Sequence, residues 1–291
     1  MAGDRIPGPR NRDSYSPENV ELAYSGLLEV ATSVQDYRRY MVLIGGWVPY
    51  LLLEHNQKDG NDFQHVGSID SDWIVDVEDA SDERYQTIVE LLAERGYSQD
   101  PVTRHRFSKE FLLANSVQPL TLSVDLLTKS PRETRSSARR HRRIQPDLEA
   151  RRLETAEFAL SHFGDVTLQG YLLGGGFISV EVQMVDIVGS IATKGYALGR
   201  RYSEKDAYDL YALIANYGGG PIDVANSLRP FLEDHILKAS LQKIRSWWNS
   251  LNGAGPIAVA NFFNNEEGEA RSRRIRDAFE TVNRLLNELQ L

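Results

Sequence analysis

The run Gly67-Ser68-Ile69-Asp70-Ser71-Asp72-Trp73-Ile74-Val75-Asp76 puts two carboxylates two residues apart at the entrance to an apolar stretch. Side chains alternate faces along a strand, so Asp70 and Asp72 are expected to project together from one edge of a sheet. Two anionic groups held that close repel each other unless a cation lies between them. An all-oxygen pair suits a hard divalent ion such as Mg²⁺. The plainer alternative is a charged strand end or turn, since Asp-x-Asp is common in loops.

Two other segments bear on that choice. Met41-Val42-Leu43-Ile44 reads as a short buried strand, closed by Gly45-Gly46 and followed by a helix over Trp47–His55, with Pro49 tolerated in its first turn. Strand, Gly-Gly, helix lets a phosphate approach the backbone and meet helix N-terminal amides. It equally serves as a tight turn between packed elements. Farther on, Pro119 to Leu127 reads as a strand in which apolar residues flank Asp125 on both sides. A buried aspartate is costly unless paired, hydrogen-bonded or bound to a metal.

The remaining pattern is mixed. A helix opens at Ser16-Pro17-Glu18 and is expected to reach about Tyr40. Residues 58–64 form a polar loop, another helix starts at Ser81-Asp82-Glu83, and Gly96 caps it. A strand is expected over 107–113 and a hairpin-like pair over 166–171 and 177–182, around Gly174-Gly175-Gly176. A helix over 183–199 carries Lys194 at the edge of its apolar stripe, where the ammonium either enters a cleft or snorkels to solvent. Ser203-Glu204-Lys205-Asp206 has the form of a capping box, which gives Asp206 a structural role; Asp209 reads as an exposed helix residue. Helices follow over 222–232, 235–250, 256–264 and 268–290.

Composition sets the outer limits. The 291 residues suit one large domain or two moderate ones, and 41% apolar residues suffice for a sizeable core. A formal net charge of −8 excludes a general polyanion binder, so nucleic-acid contact needs a local basic patch. Pro131 to Arg152 is such an island, with Arg132, Arg135, Arg139, Arg140, Arg142, Arg143, Arg151 and Arg152. It reads either as an RNA-backbone or triphosphate contact or as a solvated loop and helix start. The absence of cysteine excludes disulfides, thiolate metal sites and cysteine nucleophiles, and leaves a cytoplasmic location unopposed. Residues 1–15 are polar, expected to be disordered, and unlike a signal peptide. No 18-residue apolar run predicts a membrane span.

Gly45-Gly46 after a strand, Ser68-Ile69-Asp70-Ser71-Asp72, and Asp125 in a later strand together resemble the nucleotidyltransferase superfamily of the DNA polymerase β type. Lys194-Gly195-Tyr196-Ala197-Leu198, then Arg200 or Arg201, then Lys205-Asp206-Ala207-Tyr208-Asp209-Leu210-Tyr211 resembles its AbiEii branch, the MenT-like toxins of bacterial toxin–antitoxin pairs. The likeness spans about residues 41–212. It implies an α+β fold: an N-terminal nucleotidyltransferase domain over 16–182, with a small mixed sheet flanked by helices, and a C-terminal helical bundle over 183–291. It implies Mg²⁺ on Asp70 and Asp72, and Asp125 completing a second metal site. Gly45, Gly46 and Ser68 would touch phosphates and Lys194 would neutralise triphosphate charge, with Arg200, Arg201, Lys205 and Asp206 assigned to the nucleotide. It implies transfer of a nucleotide to the acceptor end of tRNA, with Arg139, Arg140, Arg142 and Arg143 as RNA contacts, and a cognate antitoxin as partner. Two alternatives stay open: transfer to a small molecule such as an aminoglycoside, and a non-catalytic descendant that binds a nucleotide or a partner protein.

Overall fold

The computed structural model describes residues 11–76, 86–112, 119–130 and 141–291. In chain order its elements are α1 (Pro17–Ser33), β1 (Met41–Ile44), α2 (Trp47–Asn56), β2 (Ser71–Val75), α3 (Ile88–Glu94), β3 (Ser98–Gln99), β4 (Arg106–Phe111) and β5 (Leu120–Lys129). They continue with β6 (His141–Gln145), β7 (Leu148–Leu153), α4 (Ala156–Ala159), β8 (Phe163–Tyr171), β9 (Phe177–Val185), α5 (Ile187–Leu198) and α6 (Glu204–Asn216). The last four helices are α7 (Pro221–Leu228), α8 (His235–Trp247), α9 (Ala254–Phe262) and α10 (Gly268–Glu288).

Most expected elements form, with local differences that have physical causes. The first helix stops at Ser33, where the Thr32 and Ser33 hydroxyls bond back to the Leu28 and Glu29 carbonyls, and a 3₁₀ turn covers Gln35–Tyr40. The helix expected from Ser81 begins at Ile88, behind a Thr87/Glu90 capping box; residues 81–85 lie outside the described residues. The acid-bearing strand begins at Ser71, and Gly67 before it turns the chain at φ +79°, a left-handed conformation that glycine adopts without strain.

The chain divides into two compact units. One comprises Pro17–Val48 and Gly67–Ser190 and, among the described residues, holds a nine-stranded mixed sheet with the order β3-β4-β5-β2-β1-β9-β8, β7 joining β5 and β6 joining β7. The sheet exceeds the small one expected. The part of the arginine-rich island from His141 onward is the β6–β7 hairpin, and β7 runs parallel along the end of β5. Leu148 and Ala150 alternate inward there and anchor it, so the loop and helix start expected in that region are not found. Helix α1 packs on β5, β8 and β9.

The other unit comprises Ile191–Leu291, Pro49–Val66 and, among described residues, 11–16. Helix α6 is buried from Asp206 to Ile214 and packs against α7, α9 and α10. Residues 49–66 join this unit, where Gln57 bridges Tyr217 and Asn61 bonds Asn216. Of the segment expected to be disordered, residues 1–10 lie outside the described residues and residues 11–15 pack within this unit. Tyr15 meets Phe262 at 5.9 Å, Arg12 lies over the Phe263 ring, and Asp13 accepts from Asn264. No helix among the described residues is long and apolar enough to cross a membrane.

Candidate active site

Strand register aligns the acids. Ile44 of β1 pairs with Asp72 of β2, Asp72 pairs with Asp125 of β5, and Asp125 pairs with Arg106 of β4. Residues directly opposite on neighbouring strands share a face, so Arg106, Asp125 and Asp72 form one row across the sheet. Asp70 lies in the bend just before β2, where its carbonyl accepts from the Ser68 hydroxyl at 3.0 Å.

The glycine turn abuts this row. Gly45 has φ +79°, and a Cβ built on it would overlap the Asp72 carboxylate. A Cβ on Gly46 would overlap the Ser68 hydroxyl. Glycine at both positions therefore lets the β1–α2 turn sit directly on Asp72 and Ser68.

Asp125 is only 8% exposed, and Arg106 holds it. The guanidinium donates from Nε to Oδ1 at 2.7 Å and from Nη2 to Oδ2 at 2.6 Å, a bidentate pair. Those hydrogen bonds, with the further negative charge of Asp70 and Asp72, hold the guanidinium above its ordinary pKa against the opposing effect of burial. Of the compensations expected for a buried aspartate, the structure supplies pairing and hydrogen bonding, both from Arg106. Sequence reading missed Arg106.

The fit to a divalent ion follows from these contacts. Asp70 and Asp72 supply hard carboxylate oxygens, Asp72 directly against the glycine turn, and donors of that kind suit a divalent ion such as Mg²⁺. Asp125 has both oxygens engaged by Arg106, and no group of three acidic or histidine side chains among the described residues could hold a metal.

Four of the remaining assigned residues cluster in the helical unit. Lys194 is buried, with Nζ 2.5 Å from Asp209 Oδ2 and 3.7 Å from Asp206 Oδ1. Lys205 reaches Asp209 Oδ1 at 2.5 Å, and His65 Nε2 meets the same oxygen at 3.0 Å. Arg201 donates to Asp206 Oδ2 at 3.0 Å, and Asp206 N–H donates to the Ser203 hydroxyl that caps α6. Arg200 lies over the Tyr196 ring at 5.4 Å. Asp209 is therefore fully buried, not an exposed helix residue. Burial alone raises its pKa, but the Lys194 and Lys205 charges outweigh this and hold it well below the carboxylate range. Burial lowers Lys205, whereas Asp209 and Asp206 outweigh burial and raise Lys194. Burial and the Lys205 charge lower His65 to about 4, so it is neutral at pH 7 and stacks on Tyr208 at 5.0 Å.

Arg142 and Arg143 stand on β6, and Arg139 and Arg140 lie outside the described residues. Arg143 spends donors on its own hairpin, reaching the Gln145 and Pro146 carbonyls at 3.3 and 2.5 Å.

No family model matches the chain, and no curated protein matches it. Among solved structures it is similar to an antigenic nucleotidyltransferase-like protein from Paracoccidioides brasiliensis at 14% identity, covering 86% of this chain and 99% of that one. The TM-score is 0.42, and at that level the likeness decides nothing about activity.

Proposed function

We propose that this chain is a Mg²⁺-dependent nucleotidyltransferase that moves a nucleoside monophosphate from a nucleoside triphosphate to the acceptor end of tRNA, as an AbiEii/MenT-like toxin with a cognate antitoxin. The observation that carries the reading is the packing of the Gly45-Gly46 turn onto Asp72 and Ser68. A turn suited to phosphate and an acid suited to a divalent ion meet at one point, in the order the sequence resemblance implies.

Each residue has a chemical task. The turn and the first amides of α2 bind phosphate oxygens. Ser68, tied to the Asp70 carbonyl, sets the loop that presents Asp70. Asp70 and Asp72 would hold Mg²⁺, which when bound would neutralise triphosphate charge. The acceptor hydroxyl attacks the α-phosphorus in line, the new P–O bond forms as the α–β bridge breaks, and pyrophosphate leaves. The hydroxyl proton passes to a carboxylate of the row or to water. The basic β6–β7 hairpin, with Arg142, Arg151 and Arg152, supports an RNA acceptor over a cationic small molecule.

The test is transfer from each α-labelled triphosphate, with Mg²⁺, to total tRNA and, separately, to a panel of aminoglycosides. Label on tRNA supports the proposal. Label on an aminoglycoside alone keeps the chemistry and overturns the acceptor. No transfer, together with no Mg²⁺-dependent nucleotide binding, overturns both.

A further inference from the structure

We propose that the cavity at the start of β1 is a nucleotide-binding site separate from the glycine turn. It takes one nucleoside monophosphate unit, with the base against Tyr40 and Phe163, the base edge on the Gln183 amide and the phosphate on Arg39. The proposal goes beyond the transfer reading and does not depend on it.

The cavity measures about 360 Å³, within the range of about 300–1,000 Å³ usual for ligand pockets. The 3₁₀ turn before β1 carries Arg39 and Tyr40, Val42 and Gln183 are ladder partners on β1 and β9, and Phe163 opens β8. Phe163 pairs with Val185, two residues beyond Gln183, so strand alternation puts Phe163, Gln183 and Val42 on one face. The glycine turn follows Ile44, at the other end of β1.

Three features of the wall point to a ligand. Arg39 is exposed, its guanidinium lies over the Tyr40 ring at 6.0 Å, and among the described residues it has no carboxylate partner. Gln183 has its Oε1 buried with no hydrogen-bond partner, a cost that a ligand N–H would relieve. Phe163 is a wall aromatic that remains 39% exposed. A nucleotide meets all three. Any base stacks on aromatic rings, its edge carries N–H donors, and arginine takes phosphate through paired hydrogen bonds. An aromatic carboxylate would satisfy Arg39 and the rings but offer Gln183 no donor. One cation without a carboxylate partner matches one phosphate group. Asp76 also lines the cavity, paired with Lys129 at 2.9 Å, and its charge disfavours a longer phosphate chain there.

The experiment is calorimetric titration of the full chain with each of the four ribonucleoside monophosphates, in EDTA so that no divalent ion contributes. One nucleotide per chain is expected to bind, and Asp72→Asn is expected to bind it equally. Arg39→Gln is expected to weaken binding by about tenfold or more, the loss of a charge-assisted phosphate contact. Phe163→Ala is expected to weaken it by about fivefold or more, the loss of a stacking face. Both side chains reach the surface, so both variants are expected to fold. Ribose 5-phosphate, which lacks the base, is expected to bind at least about fivefold more weakly than the nucleotide. Displacement of the monophosphate by a short unstructured oligoribonucleotide would identify the occupant as an unpaired nucleotide of an RNA chain, and its retention would identify the free nucleotide; each supports the site. No binding of any monophosphate overturns the proposal, as does ribose 5-phosphate binding equally well. Binding that Asp72→Asn loses and Arg39→Gln keeps belongs to the glycine turn, and overturns this proposal while leaving the nucleotidyltransferase reading intact.

Discussion

Arg106 grips Asp125 through two parallel hydrogen bonds, one to each carboxylate oxygen. That pair turns an isolated buried acid into half of an ion pair, and it does so beside the turn where the Gly45 backbone touches Asp72.

Removing one partner leaves the other charge without compensation. Arg106→Met is expected to destabilise the protein by about 2–3 kcal/mol, below the value for a fully buried pair because the guanidinium side chain is 36% exposed. Arg106→Met/Asp125→Leu removes both charges and is expected to recover most of that loss in urea unfolding. Equal instability of the single and double variants would mean the pair's packing matters more than its charge.

Gly45→Ala separates backbone strain from encroachment on the site. Gly45 and Gly60 both lie near φ +80°, at +79° and +82°, but a Cβ on Gly60 meets nothing within 4 Å. Both alanine variants are expected to lose about 1–2 kcal/mol of stability. Only Gly45→Ala is expected to lose transfer, by about 100-fold or more, because its methyl displaces Asp72. Parallel denaturation and transfer assays read the two effects separately.

Asp209 accepts hydrogen bonds from neutral His65 and from the ammoniums of Lys194 and Lys205. Asp209→Asn is expected to cost about 3–5 kcal/mol, since it strands two buried ammoniums. Lys194→Met is expected to cost less, because Lys205 still pairs with Asp209. Chemical denaturation of the two variants gives the order directly.

Acid should weaken the fold in a defined window. Burial, with the Lys205 charge, lowers His65 to about 4, and burial also lowers His105 to about 4, opposed in part by Asp125. The unfolded chain therefore takes up these protons first, near pH 6.5. The stability from keeping both rings neutral is fully present above about pH 6.5 and is lost as pH falls toward about 4. Between about pH 7 and pH 5 the expected loss is about 2 kcal/mol per histidine. His65→Gln should flatten its share of the profile, and an unchanged slope would remove His65 from this account.

Much of this was legible in the sequence. Met41–Ile44 and Pro119–Leu127 read as strands because their apolar runs are short and bounded, and they form as Met41–Ile44 and Leu120–Lys129. The α2 and α6 starts read from Gly-Gly and from Ser203. What stayed hidden was pairing at a distance. The partner of Asp125 lies 19 residues away, and the register joining them is set across the β4–β5 connection, not by local pattern. Asp209 looked exposed because α6 is packed on nearly every side, so its apolar stripe understates its burial; its partner His65 is 144 residues away. The β6–β7 hairpin was obscured by charge, since its arginines mask the alternation that Leu148 and Ala150 reveal once the strands are seen.

The proposed function makes Asp72 and the Gly45-Gly46 turn the reacting site. The most direct measurement is pyrophosphate release with Mg²⁺, each nucleoside triphosphate and total tRNA, run on the unmodified protein and on Asp72→Asn. Pyrophosphate in step with label on RNA is expected from the first, and neither from the second. Release that persists undiminished in Asp72→Asn would contradict it.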